Sequence, residues 1–429
     1  MTAVATAARD LLPLAPDDAL LAQLERVYQD LHANPELSMQ EVRTAGIAAD
    51  WLRRDGFEVI TGVGRTGVVG VLRNGDGPVV LLRADMDALP LVESTGLPYA
   101  SRAIGTDRFG QATGIAHACG HDMHVAWLMG ACRVFAENAR HWTGTLVAVF
   151  QPGEETAQGA DAMIADGLTA RIPKPDIVLA QHVIPAPAGA IAWRSGAAMA
   201  IGDSWEVKLF GRGAHGSQPQ KSIDPVLMAA SAVMRLQGVV SRETAMTDGA
   251  VLTVGTLRAG TNENVIPDEA LLRLNVRTFK QEVRTRVLAA IRRILEAEAA
   301  ASGAPKPPEF SVLSAFQPVI NDPAETGRIV AAFERRFGAD RVQELPQPTA
   351  ASEDFSAFGP AFGAPSVYWF VGGTDAAQFA AAAQAGTVDA LPSNHAPDFA
   401  PVVDPTLRAG IEAMLTAAGV WLMADGAPT

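Results

Sequence analysis

Several short stretches of the chain end in side chains that can hold cations or move protons. Arg83-Ala84-Asp85-Met86-Asp87 brings two carboxylates, Gln151-Pro152-Gly153-Glu154-Glu155 brings two more, and Gln181-His182 brings an imidazole. The run His117-Ala118-Cys119-Gly120-His121-Asp122-Met123-His124 sets imidazole, thiol and carboxylate donors within eight residues. A further imidazole, His395, lies in Pro392-Ser393-Asn394-His395-Ala396-Pro397. Mixed N, O and S donors suit zinc or a neighbouring first-row ion rather than calcium. The chemistry they would support is hydrolysis at a two-metal site, where cations roughly 3.5 to 4 Å apart activate one water and polarise one carbonyl. Each residue alone has a plainer use. His182 or His395 could be a hydrogen-bonded structural histidine, Cys119 a small hydrophobe, Asp85 a turn residue and Glu154-Glu155 a solvated acidic turn. Convergence on one place is what favours the site.

That convergence depends on the elements carrying them. Val79 to Leu82 is a continuous β-rich run leading into Asp85, Thr145 to Phe150 leads into Glu154, and Asp176 to Ala180 leads into His182. In open α/β sheets ligands bind outside the carboxyl ends of the strands, so three strand ends deliver these groups to one edge. Val42, Ala45, Ile47, Ala49 and Leu52 recur near helical spacing and predict a first helix over Ser38 to Arg54, ended by Asp55-Gly56. Val68 to Leu72 and Val79 to Leu82, separated by Asn74-Gly75-Asp76-Gly77, read as adjacent buried strands. Helices over about Asp122 to Asn138 and Gly159 to Asp166 alternate with the remaining strands. The alternation predicts an α/β catalytic domain with a mostly parallel sheet flanked by helices.

From Ser204 the rhythm changes to strand Trp205 to Phe210, helix Pro225 to Val240, strands Val251 to Leu257 and Ala270 to Thr278, helix Gln281 to Ala301 and strand Phe310 to Leu313. This β-α-β-β-α-β order predicts an inserted, ferredoxin-like α+β domain with two helices on one face of a four-stranded sheet. After Pro318 the first domain resumes and ends in a helix over Thr406 to Met423. The expected organisation is a catalytic domain in two parts, 1–203 and 316–429, interrupted by a domain at 204–315.

The 429 residues carry 34 basic and 47 acidic side chains, a net charge of −13. That balance opposes general affinity for nucleic acid or an anionic membrane. No apolar run reaches the about 18 residues of a transmembrane helix. Met1 to Pro16 carries Arg9 and Asp10 and is broken by Pro13, unlike a secretory signal, and a cytoplasmic location is expected. Cys119 and Cys132 fall partly on one helix, too far apart at about 1.5 Å per residue for a disulfide, so both should be free thiols. Gly62-Val63-Gly64-Arg65-Thr66-Gly67 fits a dinucleotide fingerprint, yet a strand follows where that motif needs a helix. A Cys119–His nucleophile pair competes with metal ligation for the same thiolate.

Taken in order, Leu31-His32-Ala33-Asn34-Pro35-Glu36-Leu37-Ser38, Arg83 to Pro90, the Cys119 segment, Gln151 to Glu155, Gly213-Ala214-His215-Gly216-Ser217, Asn264-Val265-Ile266-Pro267, Ser352-Glu353-Asp354-Phe355 and Asn394-His395-Ala396-Pro397 resemble the M20 metallopeptidase and aminoacylase family. The likeness covers nearly the whole chain and is strongest to its branch of N-acyl-amino-acid amidohydrolases, hippurate hydrolases and auxin-conjugate hydrolases. It implies two divalent metal ions, zinc, manganese, cobalt or nickel, held by Cys119, His121, Glu155, His182 and His395, with the Cys119 thiolate bridging. It implies Glu154 as general base, and Asp85 and Asp87 as carboxylates that orient ligands, with ligation by Asp85, Asp122 or His124 left open. Glu353 and Asp354 would support the edge of the site.

The resemblance further implies that the inserted domain is a lid and dimerisation domain. Its His215 would reach a neighbouring subunit's site to stabilise the oxyanion, and Asn264 with Arg277 would fix the substrate's α-carboxylate. Arg suits that task because its planar fork grips a carboxylate with two hydrogen bonds. The implied activity is hydrolysis of N-acyl-amino acids, N-acetyl, N-benzoyl or similar, to carboxylate plus free amino acid by metal-activated water, in a homodimer or larger assembly. A dipeptidase or carboxypeptidase using the same centre is the alternative. A binding protein with a defunct centre and a thiol hydrolase are the other readings, and no nucleic-acid or membrane partner is expected.

Overall fold

The computed structural model describes residues 14–423. The stretch 1–13, most of the segment read above for a signal, lies outside the described residues. Two compact units emerge. One comprises residues 14–196, 320–347 and 354–423, and the other residues 197–319 and 348–353.

The larger unit is built on an eight-stranded sheet. Its four central strands, Gly144–Gln151, Val79–Asp85, Ile177–Pro187 and Ser366–Thr374, run parallel in that order. They are apolar along most of their length because helices cover both faces. Gly67–Asn74 and then Glu58–Val63 extend one side antiparallel, and Ile191–Trp193 with Val342–Glu344 extend the other. The helix His121–Glu137 is buried almost all round, consistent with its lack of a polar stripe, and it packs against Val403–Leu422 and Asp18–Ala33.

Two expectations are corrected here. Val42–Arg54 is not the first helix, because Asp18–Ala33 precedes it, capped by the Asp17 carboxylate on Leu20 N at 2.7 Å. The strands Gly67–Asn74 and Val79–Asp85 are not neighbours either: Gly144–Gln151 lies between them. The turn after Asn74 therefore carries the chain across one strand's width. Pro78 O accepts Thr145 N–H at 2.9 Å, which fixes that crossing at the start of the intervening strand.

The glycine-rich Gly62 to Gly67 segment does lead into a strand, Gly67–Asn74. Its glycines serve packing, since a Cβ on Gly64 would come within 2.5 Å of Met163 N on the helix Gly159–Ala165.

The smaller unit is a four-stranded antiparallel sheet in the order Ala250–Ala259, Glu269–Thr278, Ile201–Phe210, Glu309–Phe316. The helices Pro225–Glu243 and Gln281–Ala301 share one core with it, including Met228, Leu236, Val287 and Ile291 against Val207, Leu272 and Leu274. Alternation along Glu269–Thr278 puts Leu272, Leu274 and Val276 on the buried face.

Candidate metal centre

The carboxyl ends of Val79–Asp85 and Gly144–Gln151 lead into Asp85 and Asp87 and into Glu154 and Glu155, and His182 joins them from within the strand Ile177–Pro187, which runs beyond the Asp176 to Ala180 expected. The loop before the helix His121–Glu137 adds Cys119 and His121. Gly120 between them adopts φ 82° and caps the helix, and a Cβ there would lie 2.4 Å from a Val183 methyl. Only glycine lets the chain turn tightly enough to present both neighbours to one space. His395 comes from a distant loop and itself has φ 72°, a conformation a non-glycine residue adopts only under local constraint. Its N–H bonds Ala118 O at 2.8 Å, while the Asn394 amide bonds the carbonyls of Cys119 and Val183, each at 3.1 Å.

The five residues expected to hold metal all lie in this cluster. Ligand atoms of Cys119, His121 and His182 lie within 4.8 Å of one another, as do those of Cys119, Glu155 and His395, and those of His121, Glu154 and Glu155. Cys119, His121 and Glu155 each belong to two of these groups, so the three link them into one cluster. His182 Nδ1–H donates to Val183 O at 2.7 Å, leaving Nε2 at 3.4 Å from Cys119 Sγ. His121 Nδ1 lies 3.2 Å from Asp87 Oδ1. His121 Nε2 and Glu155 Oε1, 3.9 Å apart, are buried without a hydrogen bond, and Glu155 Oε1 has His395 Nε2 at 3.3 Å. Buried polar atoms left without hydrogen bonds are costly, and a cation held by this cluster would satisfy them.

Electrostatics point the same way. Burial, with Glu155, Glu154 and Asp85 nearby, pushes the Cys119 thiol well above its ordinary range. A free thiolate nucleophile is disfavoured there, whereas a bound cation reverses the balance. Burial opposes charge on His121, yet Asp85, Asp87 and Glu155 raise it to about 10, the mark of a cluster with surplus negative charge. Burial holds His182 well below its usual value, so it is a neutral imidazole.

Asp85, His121 and His124 form a further group whose ligand atoms lie within 4.8 Å of one another, and the neighbouring donors are engaged within the protein. His124 Nδ1 bonds Asp85 Oδ1 at 2.5 Å and its Nε2 accepts Val183 N–H at 2.9 Å, so the neutral ring has no lone pair left for a metal. Asp122 Oδ2 accepts from His32 Nδ1 at 2.7 Å and its Oδ1 accepts Met123 N–H at 2.9 Å. Asp85 Oδ2 accepts from Arg83 at 2.7 Å, with His121 Nε2 at 3.7 Å. Asp87 Oδ2 takes Glu155 N–H at 2.9 Å and the Ser38 hydroxyl at 2.6 Å.

The support expected of Asp354 belongs to a wider frame, of which sequence reasoning missed Arg83, Gln151 and Glu41. Arg83, buried, ties Gln151 at 2.8 Å and Asp354 at 3.2 Å, and Asp354 also accepts Ala160 N–H at 3.1 Å. Glu41, buried, receives Gly153 N at 2.8 Å and the Thr66 hydroxyl at 2.6 Å, holding the turn that presents Glu154. Burial and the Asp87 charge push Glu41 up to about 7.

In the smaller unit, His215 pairs across to Val265 in a short ladder, and its Nδ1 lies 2.8 Å from Ser217 Oγ. Asn264 O accepts Gly216 N–H at 2.8 Å, so His215 and Asn264 are neighbours. Arg277 is not with them. Gly211 N bonds Asp268 O, fixing the His215 loop where Phe210 faces Glu269, while Arg277 faces Gly202 at the opposite end of that strand pair. From Glu269 to Arg277 the strand spans roughly 27 Å at about 3.4 Å per residue.

Comparison with known proteins agrees with this chemistry. The model of peptidase family M20/M25/M40 matches residues 81–403. Hippurate hydrolase of Campylobacter jejuni subsp. jejuni is 36% identical over 341 residues, 79% of this chain and 85% of that protein. N-acetyl-L-cysteine deacetylase of Bacillus subtilis is 35% identical over 360 residues, 82% of each. The solved structure of the Bacillus subtilis YXEP protein, a dinuclear metal binding peptidase from the M20 family, superposes with TM-score 0.69 at 29% identity, covering 94% of this chain and 99% of that one. The chain is thus an amide-cleaving hydrolase and belongs to peptidase family M20/M25/M40.

Proposed function

We propose that the chain hydrolyses N-acyl-amino acids to a carboxylic acid and a free amino acid, with two divalent ions held by Cys119, His121, Glu155, His182 and His395. The observation that carries this reading is the convergence of His121 Nε2, Glu155 Oε1 and His395 Nε2, the first two buried without a hydrogen bond, within a shell of N, O and S donors. Ions bound there would supply Lewis acidity, lowering the pKa of water and polarising the scissile carbonyl. Zinc and manganese both suit such donors, and cobalt or nickel are accepted by the same geometry.

Glu154 is the acid and base of this scheme. It is buried beside Glu155 at the cation-facing edge, takes a proton from the attacking water and returns it to the leaving nitrogen. Asp87 and Asp85 orient His121, Glu155 and His124 rather than binding metal. His215 stabilises the oxyanion, and Asn264 with Arg277 recognises the free carboxylate of the amino acid. Because one chain holds Asn264 and Arg277 at opposite ends of a strand, a pair gripping one carboxylate is drawn from two copies, which favours a homodimer. The two buried free thiols accord with a reducing compartment such as the cytoplasm, and no described helix is long and apolar enough to cross a membrane.

A hydrolysis screen of N-acetyl and N-benzoyl amino acids against dipeptides, after reconstitution with each metal, tests the reading. Turnover of N-acyl-amino acids above dipeptides is expected. Exclusive cleavage of dipeptides would transfer the assignment to a peptidase.

A further inference from the structure

A cavity of about 240 Å³ opens beside Glu155, entirely within the larger unit. Its apolar wall is Leu37, Ala88, Leu89, Pro90 and Phe109. Phe109 reaches it from the tip of a two-stranded hairpin, Ile104–Thr106 with Ala112–Gly114.

This hairpin is braced at both ends. At its base, Leu37, Ala88 and Ile115 form a small buried cluster with Ala103 packed on it, so the cavity floor and the hairpin share residues. Ile115 N also bonds Ala103 O at 3.0 Å. At its tip, Asp107 Oδ1 accepts the N–H groups of Phe109 and Gln111, both at 2.8 Å, which closes the turn. The Arg108 guanidinium lies 5.0 Å from the centre of the Phe109 ring, and the ring keeps 38% of its surface exposed. An aromatic held on a fixed turn, with a guanidinium beside it and lining a cavity with an apolar wall, is placed to be met by another flat apolar group.

Resting on the reading of the reaction given above, we propose that this hairpin forms the acyl subsite, that it takes a bulky apolar acyl group, an aryl one above all, and that Phe109 sets the preference. The cavity adjoins Glu155, so a group seated there is continuous with a carbonyl at the cation-facing edge. Its charged lining, Glu155 and Asp107 against the single cation Arg108, is net negative, which disfavours the carboxylate half of the substrate there. The neutral acyl half meets no such penalty. Size fits as well, since an apolar cavity of about 150 Å³ already accepts benzene.

The test compares N-benzoylglycine with N-acetylglycine in the metal-loaded protein and in Phe109→Ala. The benzoyl-to-acetyl ratio of kcat/KM should fall about tenfold or more, the scale of losing a packed apolar partner. Phe109→Leu should fall between the two. An activity-free arm uses the Glu154→Gln protein: adding Phe109→Ala should weaken N-benzoylglycine binding by calorimetry about tenfold more than N-acetylglycine binding. A ratio that moves less than about twofold in both arms overturns the subsite while leaving the reaction assigned. No hydrolysis of either substrate by the unsubstituted protein with any metal overturns the reaction itself.

Discussion

Asp87 ties His121 to Glu155: one carboxylate oxygen lies 3.2 Å from His121 Nδ1 and the other accepts the Glu155 N–H at 2.9 Å. Two residues proposed as ligands, one at a helix N-terminus and one in the short turn Glu154–Thr156 that follows a strand, are thereby set by a single buried side chain. Asp87→Asn exchanges one acceptor for an amide donor, which frees either the His121 ring or the Glu155 backbone. Metal affinity should fall 10- to 100-fold, on the order of other losses of a ligand-orienting carboxylate. Competition against a chelator measures it, and unchanged affinity would remove Asp87 from the site's support.

Glu154→Gln keeps the shape and hydrogen-bonding capacity of the side chain but cannot accept a proton. Turnover should drop about 10²- to 10⁴-fold with bound metal unchanged. Elemental analysis alongside kcat separates the roles: lost activity with full metal identifies the proton carrier, whereas lost metal would make Glu154 a ligand.

The catalytic edge was legible in sequence because strand runs such as Val79 to Leu82 end abruptly in carboxylates, and the strand-end rule locates ligands there. The four-stranded sheet of the smaller unit was equally legible from its alternating strands and long helices. Strand order was not. A turn of Asn, Gly and Asp states that the chain reverses, not whether the next strand pairs with its predecessor, and only the later strand Gly144–Gln151 fills that gap. The brace residues were hidden for a related reason. Glu41 sits three after Ser38 just before a helix, the spacing of a capping box, yet its carboxylate accepts Met39 N–H rather than Ser38 N–H and also reaches Gly153 and Thr66. Arg83 reads as an ordinary charge until folding places Gln151 and Asp354 around it.

His32 provides a pH-dependent support away from the metal donors. It is buried with Nδ1 at 2.7 Å from Asp122 and Nε2 at 3.0 Å from Glu93. Burial alone would lower its pKa, but the Asp122 charge and the hydrogen bonds to Asp122 and Glu93 raise it to about 10. A histidine whose folded pKa exceeds its unfolded 6.5 binds the extra proton only in the folded state. Its stabilisation is complete below pH 6.5 and fades as pH rises toward 10. His32→Gln should cost about 3 kcal/mol at pH 6, since it strands a buried carboxylate, and less at high pH. Denaturant midpoints at several pH values check this. A parallel pH dependence in variant and parent would contradict the ion pair.

Removing metal should abolish activity and lower stability together, because ions that bind only the folded arrangement add to folding free energy. At a free ion concentration about 100 times Kd the gain is about 2.7 kcal/mol. Calorimetry before and after chelation, then after adding each ion back, should give a recovered midpoint and recovered turnover for the same ions. Recovery of the midpoint without turnover would separate a structural ion from the proposed chemistry.

The separation of Asn264 from Arg277 makes a prediction about assembly that neither residue makes alone. Asn264→Ala and Arg277→Ala should each reduce kcat/KM roughly tenfold to a hundredfold, the cost of a lost charge-assisted hydrogen bond to the substrate carboxylate. If both residues serve one site but come from different copies, a dimer of the two variants contains one site with both side chains intact and one lacking both. Random co-assembly gives such mixed dimers about half the time, so roughly a quarter of parental activity should return on co-expression. Mixing the two proteins without subunit exchange should restore none. Co-expressed variants no more active than either alone would mean that Asn264 and Arg277 do not meet across copies, and recognition of the carboxylate would then rest on one end of the strand.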